Sequence, residues 1–127
     1  MNKYLIELKK LKKSFNHENV KIELFKNVNL GIKKGELIAL VGPSGSGKSS
    51  LLHILSLLDK PTSGKIVING KDSKTFNEQQ KKEIRRKKIS IIFQDNNLLS
   101  DFTTIENVLM PLMIRDEDKE NATNKAK

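Results

Sequence analysis

Residues 42–49 read Gly42-Pro43-Ser44-Gly45-Ser46-Gly47-Lys48-Ser49, a full match to the pattern G-x-x-x-x-G-K-[ST]. In this pattern the glycines let the backbone turn so that successive N–H groups point at phosphate oxygens. We expect Lys48 to reach the β- and γ-phosphates of a nucleotide and the hydroxyl of Ser49 to ligate the bridging Mg²⁺. The stretch therefore predicts a phosphate-binding loop, with Ser50 included as the next residue of the helix that follows.

The segments on either side of the loop have the character that the motif requires. Residues 36–41 form a short apolar run of strand length, and residues 49–58 are long enough to open as a helix. The alternative is a Gly/Ser-rich linker, which would not need a strand-like segment before it and a helix-like segment after it. A strand, a loop and a helix are therefore predicted in that order.

Length and composition indicate one ordinary domain without a membrane span. The chain has 127 residues, of which 31% are charged and 36% hydrophobic. Its longest nearly apolar stretch, residues 51–58, is far below the roughly 18 residues that a membrane-spanning helix needs. Its start lacks the apolar core of a secretory signal, and it contains no cysteine. We expect a cytosolic location.

The net charge of +9 raises the alternative of nucleic-acid binding. The basic residues form modest clusters near the start and at 81–88, and the chain has one tyrosine and no tryptophan for base stacking. The lysines fit a compositional bias spread over solvated surfaces. We expect no direct nucleic-acid partner.

Periodicity and turn residues predict further elements along the chain. We expect strands at 5–8, 21–30, 65–68 and 89–93 and helices at 49–58, 75–88 and 105–114. Asn69-Gly70, directly after the strand at 65–68, predicts a tight turn. Thr75 with Glu78, and Thr103 with Glu106, have capping-box spacing. Pro111 should kink or shorten the last helix, and residues 115–127 are predicted to form a polar, disordered tail after a domain of residues 1–114.

Nearly the whole chain resembles the ATP-binding subunits of ABC transporters. The segments that carry the resemblance occur in the family's order and are GPSGSGKS at 42–49, LLHIL at 51–55, LDKPTSG at 58–64, ING at 68–70, IFQ at 92–94 and TIENV at 104–108. Residues 57–64 and 97–114 look most like the lipoprotein-releasing subunits, while macrolide-export and cell-division relatives share much of the pattern. Ser56-Leu57 stands where many relatives carry two glycines.

The resemblance implies a fold and a set of roles. The fold is α/β, a P-loop NTPase core with an N-terminal antiparallel β subdomain. Phe15 matches the aromatic residue that stacks on adenine, and Gln94 matches the glutamine that contacts Mg²⁺ and the attacking water and couples the site to the membrane partner. ATP and Mg²⁺ are the implied cofactors. The implied partners are transmembrane subunits and, in the full-length form, a second copy of the nucleotide-binding subunit in a homodimer. The implied location is peripheral, at the cytoplasmic face of the inner (plasma) membrane.

The 127 residues contain no Leu-Ser-Gly-Gly-Gln signature and no strand of four apolar residues followed by Asp-Glu. The resemblance therefore covers the part of the family pattern that precedes the helical signature region. Two alternatives stay open beside a transport ATPase. One is a nucleotide-binding module without catalysis, and the other is a small P-loop kinase or GTPase, which no acceptor-site or guanine motif supports.

The family pattern also predicts low stability for the isolated chain. Strands of a parallel sheet are buried on both faces, and in the family the carboxylate strand lies beside the strand that precedes the phosphate loop. Residues 36–41 would therefore keep unpaired edges. We expect a marginally stable or aggregation-prone chain that positions phosphate without efficient hydrolysis.

Overall fold

A computed structural model describes residues 3–18, 20–95 and 97–126 of the chain. The chain divides into two compact units, one extending to Lys81 and the other beginning at Lys82. The first unit holds an antiparallel sheet, the phosphate-binding loop and the helix after it. The second holds two further helices and the segment that contains Gln94.

Four antiparallel strands form the sheet of the first unit. They are β1 (Ile6–His17), β2 (Val20–Ile32), β3 (Ser63–Ile68) and β4 (Lys71–Asp72), in the spatial order β2-β1-β3-β4. Leu8 lies opposite Leu30 of β2 and opposite Ile66 of β3. The long hairpin and the β3 strand confirm the sequence prediction of an N-terminal antiparallel β subdomain, and both observed hairpin strands are longer than predicted.

The tight turn between β3 and β4 is also confirmed. Asn69 and Gly70 have φ values of 49° and 79°, and Ile68 pairs with Lys71 across them. Two successive positive φ angles are what a two-residue hairpin needs, and Asn-Gly supplies them at low cost.

One face of the sheet packs against helix α1 (Lys48–Leu55). The buried core consists of side chains from β1, β3 and α1, namely Leu8, Leu11, Leu51, Ile54, Ile66 and Ile68. Leu11 and Ile54 are fully buried. This packing fixes the helix that starts at the phosphate-binding loop onto the sheet.

Two predicted strands are wrong in this structure. Residues 36–41 and 89–93 are irregular, with Leu37 98% exposed, Val41 89% exposed and Ile92 99% exposed. A strand requires a neighbour that completes its hydrogen bonds. The described residues pair no strand with either segment, so their apolar character alone does not make them strands.

The start of helix α2 (Glu78–Lys88) also differs from the prediction. Thr75 lies in a 3-10 turn, Ser73–Thr75, and its hydroxyl donates to the carbonyl oxygen of Asp72 at 2.7 Å. The reciprocal pair that caps α2 is Asn77 with Gln80, at 3.0 and 2.8 Å. Thr75 is occupied elsewhere, so the capping box lies two residues later than predicted.

The second capping box is confirmed at the head of α3 (Thr104–Ile114). The Thr103 N–H donates to the Glu106 carboxylate at 2.8 Å, and the Glu106 N–H donates to the Thr103 hydroxyl at 3.4 Å. The helix continues three residues beyond Pro111, so the proline does not end it.

The prediction of a disordered tail is corrected by helix α4 (Lys119–Ala126). The Asp118 carboxylate accepts from the Asn121 N–H at 3.0 Å, which caps the helix start. Lys125 pairs with Glu117 at 2.6 Å, and Ala122 is fully buried. A cap, an ion pair and one buried contact offset the weak helix tendency of this polar sequence. The domain boundary at residue 114 stays a prediction.

Across the ranges 3–18, 20–95 and 97–126, no helix has both the length and the apolar character needed to cross a membrane.

Candidate functional site

The phosphate-binding loop joins the irregular segment 36–41 to α1. Gly45 and Gly47 have φ values of 79° and 87°, in the left-handed region that favours glycine. Gly42 lacks a positive φ, and a Cβ there would lie 3.0 Å from the Ser46 Oγ. Glycine is thus needed at Gly45 and Gly47 because of their left-handed backbone, and at Gly42 because the Ser46 side chain lies close to it.

Helix α1 begins without a side-chain cap. Gly47 occupies the N-cap position and no side chain accepts a hydrogen bond from the first turn, while the Gly47 carbonyl accepts from the Leu51 N–H at 2.9 Å. The first N–H groups of a helix have no partner within the helix and carry partial positive charge. Such a helix start favours an anion, which is the chemistry that the loop predicts.

Lys48 is held against the backbone of its own loop. Its Nζ donates to the carbonyl oxygens of Gly42 and Pro43 at 2.8 and 2.7 Å. Both acceptors are neutral carbonyls, so neither offsets the positive charge of the ammonium. A phosphate oxygen that replaces or joins a carbonyl would form a stronger, charge-assisted bond.

The loop sits close to strand β2. A Cβ on Gly47 would lie 3.1 Å from the Cδ1 of Phe25 and 3.3 Å from the Cβ of Leu24. This contact places the start of α1 against one strand of the antiparallel sheet and fixes the loop relative to the β1–β2 hairpin.

Ser49 and Ser50 both lie in the first turn of α1. Ser49 is exposed and Ser50 half-buried. A hydroxyl oxygen suits Mg²⁺, which takes hard oxygen ligands and keeps waters and nucleotide phosphates in its shell. No cluster of three or more His, Cys, Asp or Glu side chains within the described ranges has metal-binding geometry. The exposed Ser49 hydroxyl therefore fits the predicted role of one protein ligand to a nucleotide-bound cation.

Phe15 lies near the end of β1 in the same unit as the loop. Its side chain is 42% exposed, and it pairs across the hairpin with Ile22. An exposed aromatic face is available for stacking, which agrees with the adenine-contacting position that the family resemblance implies. The role itself stays a prediction.

The Lys13–Asp59 ion pair is a feature of this unit that sequence reasoning missed. Lys13 Nζ lies 2.6 Å from an Asp59 carboxylate oxygen. Burial raises the pKa of the Asp59 carboxyl, but hydrogen bonds from the Lys13 ammonium and the Lys60 N–H outweigh it and hold the pKa below its ordinary value of 3.8. The two residues are far apart in the chain, so no local pattern signals their contact.

Gln94 lies in the second unit, after the irregular segment 89–93, and is exposed. Further along the chain, residues 99–102 are held by Asn107, another residue that sequence reasoning did not single out. The Asn107 side chain accepts from the Leu99 N–H at 2.8 Å and donates to the carbonyl oxygens of Leu99 and Phe102 at 3.1 Å each. The predicted catalytic and metal-binding roles of Gln94 remain predictions.

Solved structures are similar to this chain over nearly its whole length. The dimeric, post-hydrolysis structure of the ATP-binding cassette MJ0796 bound to ADP and Pi superposes with a TM-score of 0.87 at 38% identity, covering 95% of this chain and 53% of that one. The structure of cbiO1 from Clostridium perfringens, part of the ABC transporter complex cbiONQ, gives a TM-score of 0.74 at 27% identity, covering 98% and 47%. The α/β fold is therefore that of an ATP-binding cassette over its matched half.

Sequence comparisons agree with the structural ones. The family profile described as "ABC transporter" matches residues 25–127. The lipoprotein-releasing system ATP-binding protein LolD of Legionella pneumophila (strain Paris) is 43% identical over 126 residues, which are 99% of this chain and 56% of that protein. LolD of Rickettsia bellii (strain RML369-C) is 42% identical, covering 100% and 55%. The chain thus spans about half the length of the curated relatives it matches.

Proposed function

The chain belongs to the ABC transporter family, and from that membership we propose that it forms the ATP-binding part of a transport ATPase subunit of the lipoprotein-releasing type. The observation that carries the proposal is the phosphate-binding loop at the start of α1, with Gly45 and Gly47 in left-handed conformations and the Lys48 ammonium held at the loop. The identity of 43% to a lipoprotein-releasing ATP-binding protein supports the subfamily.

The proposed binding mode follows from the geometry of the loop. Backbone N–H groups of residues 42–49 and the uncapped start of α1 hold the triphosphate, and Lys48 adds a charge-assisted hydrogen bond to it. Mg²⁺, when bound with the nucleotide, neutralises the charge that develops on the phosphates. The Ser49 hydroxyl is proposed to hold it, and Phe15 is proposed to stack on the adenine ring.

We propose that these 127 residues bind ATP more effectively than they hydrolyse it. Phosphoryl transfer to water needs a group that orients or activates the water. Gln94 is the proposed candidate, by family resemblance, and it is a neutral side chain. The sequence contains no strand-terminal Asp-Glu pair of the kind found in the family. A nucleotide-binding module without catalysis is the second candidate function, and slow phosphate release from MgATP would favour it.

The proposed partners are transmembrane transporter subunits and a second nucleotide-binding subunit, which would place the protein peripherally at the cytoplasmic face of the membrane. The exposed side chains of Leu98, Leu99 and Phe102, 70%, 45% and 43% exposed, supply apolar surface in the loop after Gln94. Apolar surface of this kind suits contact with a partner protein.

A chimera tests the subfamily directly. The chain replaces the matched half of the Legionella LolD protein, and release of lipoproteins from membranes that contain the cognate transmembrane subunits is measured. We expect release above that of vesicles without the chimera, and we expect Lys48→Ala to abolish it. A parallel chimera with a macrolide-export subunit is the comparison. If only the chimera with the macrolide-export subunit supports transport, the lipoprotein-releasing assignment is wrong, but the assignment as a transport ATPase still holds.

A further inference from the structure

Lys13 is a nearly buried lysine whose ammonium has three neighbours. The residue is only 9% exposed. Its Nζ pairs with the Asp59 carboxylate at 2.6 Å and donates to the Lys60 carbonyl oxygen at 2.9 Å. The same nitrogen lies over the ring of Phe15, 5.3 Å from the ring centroid. A buried ammonium needs such partners, and here they fix where it sits relative to the ring.

The turn after α1 also holds the backbone beside Phe15. The Thr62 N–H donates to the Lys12 carbonyl oxygen at 2.9 Å, and the Thr62 hydroxyl accepts from the Ser14 N–H at 3.0 Å. Strand β1 is therefore fastened on both sides of Lys13 to the segment that follows α1. Helix α1 starts at the phosphate-binding loop, and the segment after it holds β1 next to Phe15. One helix therefore links the loop to the residues that hold Phe15 in place.

The β1–β2 register places Phe15 at a suitable distance from the loop. Phe15 pairs with Ile22, whereas Phe25 is the β2 residue whose side chain would lie closest to a Cβ placed on Gly47. Phe25 lies three positions after Ile22 along β2, which corresponds to roughly 10 Å. A nucleotide whose phosphates lie at the loop can span this distance with its base.

We propose that Lys13 is a positioning residue for base recognition, held by Asp59, which fixes the Phe15 ring for stacking on the purine of a bound nucleotide. This inference rests on the proposed ATP-binding function. The ammonium lies over the ring on one side, and the exposed part of the ring accepts the base. Lys13 contributes to affinity for the base and leaves affinity for the triphosphate unchanged.

A double-mutant cycle tests the assignment. Dissociation constants for MgATP and for magnesium tripolyphosphate, which has no base, are measured for the wild-type chain and for Lys13→Met, Phe15→Leu and the double variant. We expect Lys13→Met to weaken ATP binding by about threefold to tenfold, on the scale of a cation–π contact, and Phe15→Leu to weaken it more. The double variant should match Phe15→Leu, because Lys13 acts through the ring.

Matched controls separate positioning from folding. Lys12→Met removes a neighbouring lysine that pairs with Glu23, and it should leave ATP affinity unchanged. Lys13→Arg keeps a cation over the ring and should restore most of the affinity. Asp59→Asn removes the ion-pair partner of Lys13 but leaves the lysine in place. It carries the test if Lys13→Met does not fold, and we expect it to weaken ATP binding as well.

The outcomes are distinct. Wild-type affinity in a folded Lys13→Met or Asp59→Asn variant overturns the inference and leaves ATP binding intact. Equal weakening toward ATP and tripolyphosphate, or additive losses in the double variant, also overturns it, because both show a general structural effect. A wild-type chain that binds neither ligand contradicts the proposed function itself.

Discussion

Lys48 donates a hydrogen bond of 2.8 Å from its ammonium nitrogen to the carbonyl oxygen of Gly42, six residues earlier in the chain. Together with the bond to the Pro43 carbonyl oxygen, this contact holds the Lys48 ammonium against the backbone of its own loop. Phosphate oxygens that arrive at the start of α1 therefore meet an ammonium already positioned, and the ordering of this long side chain is partly complete before binding.

Gly47 is predicted to be the glycine of the loop least tolerant of substitution. Gly47→Ala introduces a Cβ at a φ of 87° and within 3.1 Å of the Phe25 ring. Gly35→Ala is the matched control, since Gly35 has a φ of 77° and nothing within 4 Å of the new atom. We expect the control to cost about 1–2 kcal/mol of unfolding free energy, from the left-handed backbone alone, and Gly47→Ala to cost more. Equal melting temperatures for the two variants would contradict the crowding at Gly47.

Because α1 packs on the sheet, alanine substitutions at two positions of this helix should differ strongly in their effect on the free energy of unfolding. Ile54 is fully buried, whereas Leu52 is 54% exposed. Ile54→Ala should cost about 2–5 kcal/mol of unfolding free energy, and Leu52→Ala only about 0.5 kcal/mol. Chemical denaturation measures both. A comparable loss at the two positions would show that α1 does not pack as described.

The capping box of α3 predicts a pH dependence. Hydrogen bonds from the Thr103 hydroxyl and N–H lower the pKa of Glu106 below its ordinary value of 4.5. A carboxyl whose pKa is depressed by folding adds stability above its unfolded pKa and loses that stability as pH falls through the folded pKa. Acidification below about pH 4.5 should therefore lower the melting temperature. Glu106→Gln should flatten this part of the profile, and an unchanged slope would exclude Glu106 as its source.

Exposed apolar residues on the segment before the loop predict self-association. Leu37 and Val41 are 98% and 89% exposed, in a segment that pairs with no strand among the described residues. Leu37→Ser should reduce light scattering of the purified chain without lowering its melting temperature, because the side chain makes little contact in the folded state. A monodisperse wild-type monomer with cooperative unfolding would contradict the expectation of aggregation.

The local features of the fold were predictable from the sequence. The Asn69-Gly70 turn, the Thr103–Glu106 capping box and the phosphate-binding loop depend on a few neighbouring residues whose chemistry is specific. Helix α4 was missed because its polar sequence depends on a cap at Asp118 and an ion pair of Lys125, each worth little in isolation.

The nonlocal features were not predictable. Residues 36–41 and 89–93 have strand composition, but a strand needs a partner, and composition does not reveal whether one is present. The capping box of α2 is formed by Asn77 and Gln80 and not by Thr75, because the Thr75 hydroxyl is hydrogen-bonded to the Asp72 carbonyl oxygen. The Lys13–Asp59 pair joins residues far apart in the chain, so alternation along β1 could mark Lys13 only as an ordinary strand residue.

Equilibrium binding of MgATP to the purified chain, measured by titration calorimetry with Lys48→Ala beside the wild type, tests the central claim most directly. The wild type should bind one nucleotide per chain. Lys48→Ala should weaken binding by about 10- to 150-fold, since a hydrogen bond to a charged group is worth about 1.5–3 kcal/mol. Lys34→Ala, at an exposed lysine of the turn before the loop, should bind as the wild type does. Equal affinity in Lys48→Ala and wild type, or no binding by a folded wild-type chain, would contradict the account.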